Sequence, residues 1–113
     1  MKKQEYIKLH QELWLWMADN PTKWKSDWPE WNKDGLFLYY KGERIDAGCF
    51  ACAYNNKYDD GDNCDECLFI WPSCLYGQWS GLQDEYKENK ITFKVFERKR
   101  TELALLIANL EVR

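Results

Sequence analysis

Two short cysteine pairs constrain this chain more than any other feature. Cys49-Phe50-Ala51-Cys52 and Cys64-Asp65-Glu66-Cys67 repeat one spacing, with eleven residues between them. Two intervening residues let both sulfurs of a pair turn toward one ion while backbone N–H groups point at the thiolates, and two such knuckles complete a tetrahedron. The pattern predicts one structural Zn2+ held by Cys49, Cys52, Cys64 and Cys67. Four thiolates close the coordination sphere and leave no position for water or substrate, so the expected role is architectural. The fifth cysteine, Cys74, follows Trp71-Pro72-Ser73 and stands as a reserve ligand or a small buried apolar side chain.

Other uses of paired cysteines fit less well. A thioredoxin-like redox site presents one CxxC between a strand and a helix, not two pairs flanking an acidic loop. Structural disulfides conflict with an odd cysteine count and with the expectation, read from the polar residues that interrupt any apolar stretch behind Met1-Lys2-Lys3, of a cytoplasmic chain whose thiols would stay reduced. An iron–sulfur cluster also takes four thiolates, and spacing does not separate it from zinc.

A chain of 113 residues holds a single core, so residues 1–113 read as one zinc-stabilised domain. The net charge of −3 disfavours nucleic acid as a default partner, and no apolar run approaches the roughly 20 residues of a membrane helix. Seven tryptophans are many for this length. They supply core area quickly, and Trp24, Trp28, Trp31, Trp71 and Trp79 have two readings: buried core, or an aromatic binding surface.

Residues 3–19 place Tyr6, Leu9, Leu13, Trp16 and Met17 at helical period, ended by Asn20-Pro21. Asp27 and Glu30 suggest a short helix entering at Asp27. Asn32-Lys33-Asp34-Gly35 reads as a turn, and residues 36–40 as one strand of a hairpin whose partner includes residues 44–47. The cysteines organise residues 48–74, with a polar loop over 54–63. Ser80 reads as the cap of a short helix toward Lys87. Residues 92–109 form a second amphipathic helix through Phe93, Phe96, Leu103, Leu106 and Ile107. The expected fold is mainly α with a zinc-knuckle loop region, with a small α+β arrangement carrying one short hairpin as the alternative. Its two long helices pack through Leu13, Trp16, Met17, Phe96, Leu103 and Ile107.

Catalytic signals are missing from the sequence. His10, the single histidine, has no nucleophile motif beside it and reads as a surface residue of the first helix. The acidic stretch Asp59-Asp60-Gly61-Asp62 fails the register of a calcium loop, which would require ligands at Tyr58 and Cys67. Lys94, Arg98, Lys99 and Arg100 form a basic cluster that reads as a solvated helix face before it reads as a phosphate contact.

The run Glu12-Leu13-Trp14-Leu15-Trp16-Met17-Ala18-Asp19-Asn20-Pro21, then Lys25-Ser26-Asp27-Trp28-Pro29-Glu30-Trp31, the two cysteine pairs and the closing Glu102-Leu103-Ala104 to Ala108-Asn109-Leu110 resemble small cysteine-rich proteins of phages and prophages of Gram-positive bacteria. The resemblance covers most of the chain. It departs at residues 36–44, which are longer here, and at Leu68, where a proline often follows the second pair. The likeness implies a phage origin and a zinc knuckle, and it supplies no catalytic residue. The expected function is a non-enzymatic accessory protein in the host cytoplasm that binds and inhibits a host protein, such as a component of antiviral defence. A nucleic-acid-binding zinc-knuckle module and a sponge for a small signalling nucleotide are the alternatives.

Overall fold

Helix α1 spans Lys3–Asp19 and buries Tyr6, Leu9, His10, Leu13, Trp14 and Met17 along one stripe. Its end is local chemistry: the Asn20 N–H donates to the Met17 carbonyl and its side-chain amide to the Trp16 carbonyl, at 3.2 and 2.9 Å, before Pro21 forbids continuation. The computed structural model describes residues 2–35, 37–45, 49–50, 53–54, 69–70 and 75–112.

A 3-10 turn over Lys25–Asp27 follows. The expected helix entering at Asp27 is corrected here, because the turn ends at that residue. The Asp27 carboxylate reaches back to accept from the Trp24 N–H at 2.9 Å, so its capping capacity serves the preceding turn. Strands β1 (Asn32–Asp34), β2 (Phe37–Tyr40) and β3 (Glu43–Arg44) form an antiparallel sheet in that order. The expected hairpin is present, with Tyr40 opposite Glu43 and Tyr39 opposite Arg44. Lys41 and Gly42 make its two-residue turn with φ of 49° and 79°, the left-handed pair that matches strand twist. The turn expected at residues 32–35 is instead mostly strand β1, whose three residues are all exposed.

Leu38 and Tyr40 face the core together with Ile45, whose N–H donates to the Leu38 carbonyl at 2.9 Å. Glu43 shares that inner side and accepts from the Tyr6 hydroxyl at 2.9 Å, fastening the hairpin to α1.

Helix α2 spans Leu75–Lys87 and α3 spans Phe93–Ala108. The first begins before Ser80, which therefore lies inside the helix and donates to the Gly77 carbonyl instead of capping. Asn89, at φ 59°, closes α2: the Lys90 N–H donates to the Glu85 carbonyl and the Asn89 N–H to that of Tyr86, a Schellman arrangement. Thr92 caps α3 through its hydroxyl oxygen, which accepts from the Val95 N–H. Helix α3 packs on both α1 and α2. A two-stranded pair, β4 (Phe69–Ile70) with β5 (Glu111–Val112), runs antiparallel beside them. Of the six residues expected at the helix interface, Leu13, Met17, Phe96 and Ile107 are buried, and Trp16 and Leu103 pack against the core half-buried.

Candidate functional site

The cysteine region is anchored at one end by an aromatic cluster. Phe50 is fully buried and its ring stacks on Trp31 with centroids 5.2 Å apart, while Trp28 and Tyr40 meet it edge-on at 5.9 and 6.0 Å. Such offset and edge contacts hold the ring in place beyond simple area burial. Trp31 is oriented by its indole N–H, which donates to the Lys25 carbonyl at 2.7 Å. Cys49 is half-buried against this cluster, and its carbonyl accepts from the Ala53 N–H at 3.0 Å, a helical hydrogen bond. Tyr54 continues the anchoring, its ring edge-on to Tyr6 at 5.6 Å.

Of the expected zinc ligands, Cys49 is placed in this way. Cys52, Cys64, Cys67 and the reserve Cys74 lie outside the described residues, as do the acidic stretch 59–62 and Trp71. Among the described residues no three His, Cys, Asp or Glu side chains converge on a point. On the far side of the cysteine segment, Phe69 is fully buried and stacks on the His10 ring at 4.0 Å. Both flanks of the segment are therefore set into one core.

Burial separates the described tryptophans into two groups. Trp28, Trp31 and Trp79 have relative exposures of 4%, 6% and 0%, so their rings pack within the core. Trp24 keeps 41% of its surface open, one edge set against Trp79 at 5.5 Å.

Two polar residues expected at the surface are interior, and both are corrections. Arg100 is fully buried. Its Nε donates to the Trp79 carbonyl at 3.1 Å and Nη1 to the Pro21 and Lys23 carbonyls at 3.4 Å each, and its guanidinium lies over the rings of Trp79 and Trp24 at 3.7 and 4.7 Å. A planar, weakly hydrated cation suits an aromatic box of this kind better than lysine does. Position explains the burial: Phe96, Arg100, Leu103 and Ile107 share one helical stripe, so the helical period itself places Arg100 inward. The basic cluster loses this member and keeps Lys94, Arg98 and Lys99 as exposed residues.

His10 is the second correction, at 3% exposure. It shares the stripe of Tyr6, Leu13 and Met17. Its Nε2 lies 2.9 Å from the Ile107 carbonyl. A carbonyl only accepts, so Nε2 carries the proton of a neutral ring. Burial pushes its pKa down to about 4, opposed by the bond to Ile107 and assisted by the charge of Lys25. No family model, curated protein or solved structure matches the chain.

Proposed function

We propose that this chain is a non-enzymatic binding protein of phage origin, built around a structural zinc ion, that acts by occluding a host protein. The observation carrying the metal part is the seating of Cys49 beside fully buried Phe50. A ligand at this place starts from a rigid support, and the matched spacing of Cys52, Cys64 and Cys67 supplies three further thiolates. Zinc bound there would join the two flanks of the cysteine segment and contribute folding energy with no turnover.

Support for binding through the surface comes from large apolar side chains left outside. Leu15 on α1 and the adjacent Leu105 and Leu106 on α3 are exposed, Leu106 most of all at 55%. Truncating or charging such residues weakens a protein interface and leaves a monomer's core intact. Affinity capture from host lysate with the wild-type chain and a Leu105→Glu/Leu106→Glu variant tests the reading. One host protein recovered by the wild type and lost with the variant is the expected result. Reproducible recovery of no protein partner sinks it.

A further inference from the structure

Between the end of α1 and the 3-10 turn, Pro21, Thr22, Lys23 and Trp24 carry the chain across side chains of both α2 and α3. Thr22, Lys23 and Trp24 are exposed, and Pro21 is half-buried. On either side the backbone is fastened at short range: the Thr101 hydroxyl donates to the Ala18 carbonyl at 3.0 Å, and the Trp31 indole N–H to the Lys25 carbonyl at 2.7 Å. Between those points, among the described residues, the hydrogen bonds and ring contacts that tie the segment to the helices end on two side chains. Arg100 on α3 donates from Nη1 to the Pro21 and Lys23 carbonyls, both at 3.4 Å, and its guanidinium carbon lies 4.7 Å from the Trp24 ring centroid. Trp79 on α2 meets the same ring edge-on at 5.5 Å. The segment's other hydrogen bonds are local: the Lys23 N–H donates to the Asn20 carbonyl at 3.0 Å and the Trp24 N–H to the Asp27 carboxylate at 2.9 Å. Toward α3, Pro21 borders an open depression lined by Lys94, Glu97, Arg98 and Thr101.

From this geometry we infer that residues 21–24 form a strap that opens and closes over Arg100 as a unit, with the Trp24 ring as its latch. Closure takes the guanidinium wholly out of water, and a buried cation carries a desolvation cost that its partners must offset. Part of that offset does not depend on the strap. The Nε bond to the Trp79 carbonyl at 3.1 Å, and the Trp79 and Phe96 rings at 3.7 and 5.0 Å, belong to α2 and α3. What the strap adds is two hydrogen bonds at the long limit of the range and one ring face. Opening gives these up and rehydrates the guanidinium edge, while the helix packing beneath stays in place. Its free energy therefore lies well below that of global unfolding. The open form brings to the surface a charged edge beside the Trp79 ring, which the closed form hides completely.

Native-state hydrogen exchange of the full chain, followed by NMR, tests the inference by comparing the Arg100 Nε–H with the backbone amide of Leu13 in the middle of α1. In the wild type the Arg100 Nε–H should be protected in the closed form, exchange faster than global unfolding allows, and respond only weakly to low urea, as a small local opening does. The Leu13 amide should instead follow the urea dependence of global unfolding. Trp24→Ala should accelerate Arg100 Nε–H exchange about tenfold, the worth of one desolvated cation–ring contact, and accelerate the Leu13 amide far less. Trp24→Phe keeps a ring face and should retain most of the protection, whereas Lys23→Ala keeps the backbone carbonyl and should change nothing. Trp24 and Lys23 are exposed, and circular dichroism verifies that each variant folds. An Arg100 Nε–H that exchanges only with global unfolding would overturn the inference, since the segment would then be a fixed part of the core. An unprotected Nε–H in the wild type would overturn it as well, because no strap would be closed. So would a Trp24→Ala variant that accelerates both protons equally, or neither. The test involves no cysteine and no partner, so its outcome is independent of the zinc and host-binding readings.

Discussion

His10 stays neutral in the folded protein because its ring is enclosed between α1, Phe69 and the last turn of α3. Its pKa is about 4 when folded and 6.5 when the ring is solvated, so between these values the unfolded chain binds the extra proton. Stability therefore rises with pH across that window, is complete above it, and is lost as the solution is acidified. At about 1.4 kcal/mol per pH unit the full effect is roughly 3 kcal/mol. A His10→Gln variant keeps a donor for Ile107 but cannot titrate. Urea midpoints measured against pH should therefore slope less for the variant than for the wild type between pH 4 and 6.5, and parallel curves would refute the assignment. Among the described residues, Arg100 is the other buried polar side chain. Arg100→Ala removes the donor to three backbone carbonyls and empties the space between Trp24 and Trp79, which should cost about 3–5 kcal/mol in chemical denaturation. Arg100→Lys should lose less, since charge and much of the stem remain, but not recover the wild type, because an ammonium cannot stack. Both residues were legible in principle from their place on an apolar helical stripe. Polarity alone argued for the surface, and tertiary partners decided against it.

At the scale of elements, helices α1 and α3 were readable almost to the residue, since each joins a long apolar period to a local stop or start at Asn20 and Thr92. The beginning of α2 was not, because Gly77 and Gly81 lower its intrinsic propensity and Ser80 mimics a cap. Strand β1 left even less trace. Asn32, Lys33 and Asp34 have no buried face, and pairing with β2 alone makes them a strand. The turn between β2 and β3 yields adjacent predictions of opposite sign. Gly42 sits at φ 79° with open space where a Cβ would stand, so Gly42→Ala should cost about 1 kcal/mol through backbone strain and not through a clash. Lys41 holds φ 49° against its preference, and Lys41→Asn should stabilise the hairpin by roughly 0.5–1 kcal/mol despite losing a weak exposed contact to Glu5. Thermal denaturation of the two single variants checks both signs. Equal shifts in one direction would show that the turn does not hold this conformation.

For the whole molecule, the spacing of the cysteines was visible in sequence, but their support was not, because the contacts that seat Phe50 and Phe69 come from distant segments. Phe50 belongs to a cluster formed by the sheet and the 3-10 region, and Phe69 to one formed by α1 and β5. An ion fastening the cysteines between them would close a loop whose two ends lie in the same core, and closing loops of this length is worth about 3 kcal/mol from chain entropy before any gain from the metal bonds. Loss of the ion should then be felt beyond the loop. We expect purified protein to contain one zinc per chain, and chelation to lower the unfolding midpoint in a single transition while red-shifting the fluorescence of Trp28 and Trp31. Cys49→Ser should reproduce the chelated behaviour, because it removes the ligand seated beside fully buried Phe50, whereas Cys74→Ser should retain the metal. Metal-free protein with a midpoint indifferent to chelator would remove zinc from the account. A midpoint that falls only for Cys74→Ser would move the fourth thiolate from the paired cysteines to the reserve position.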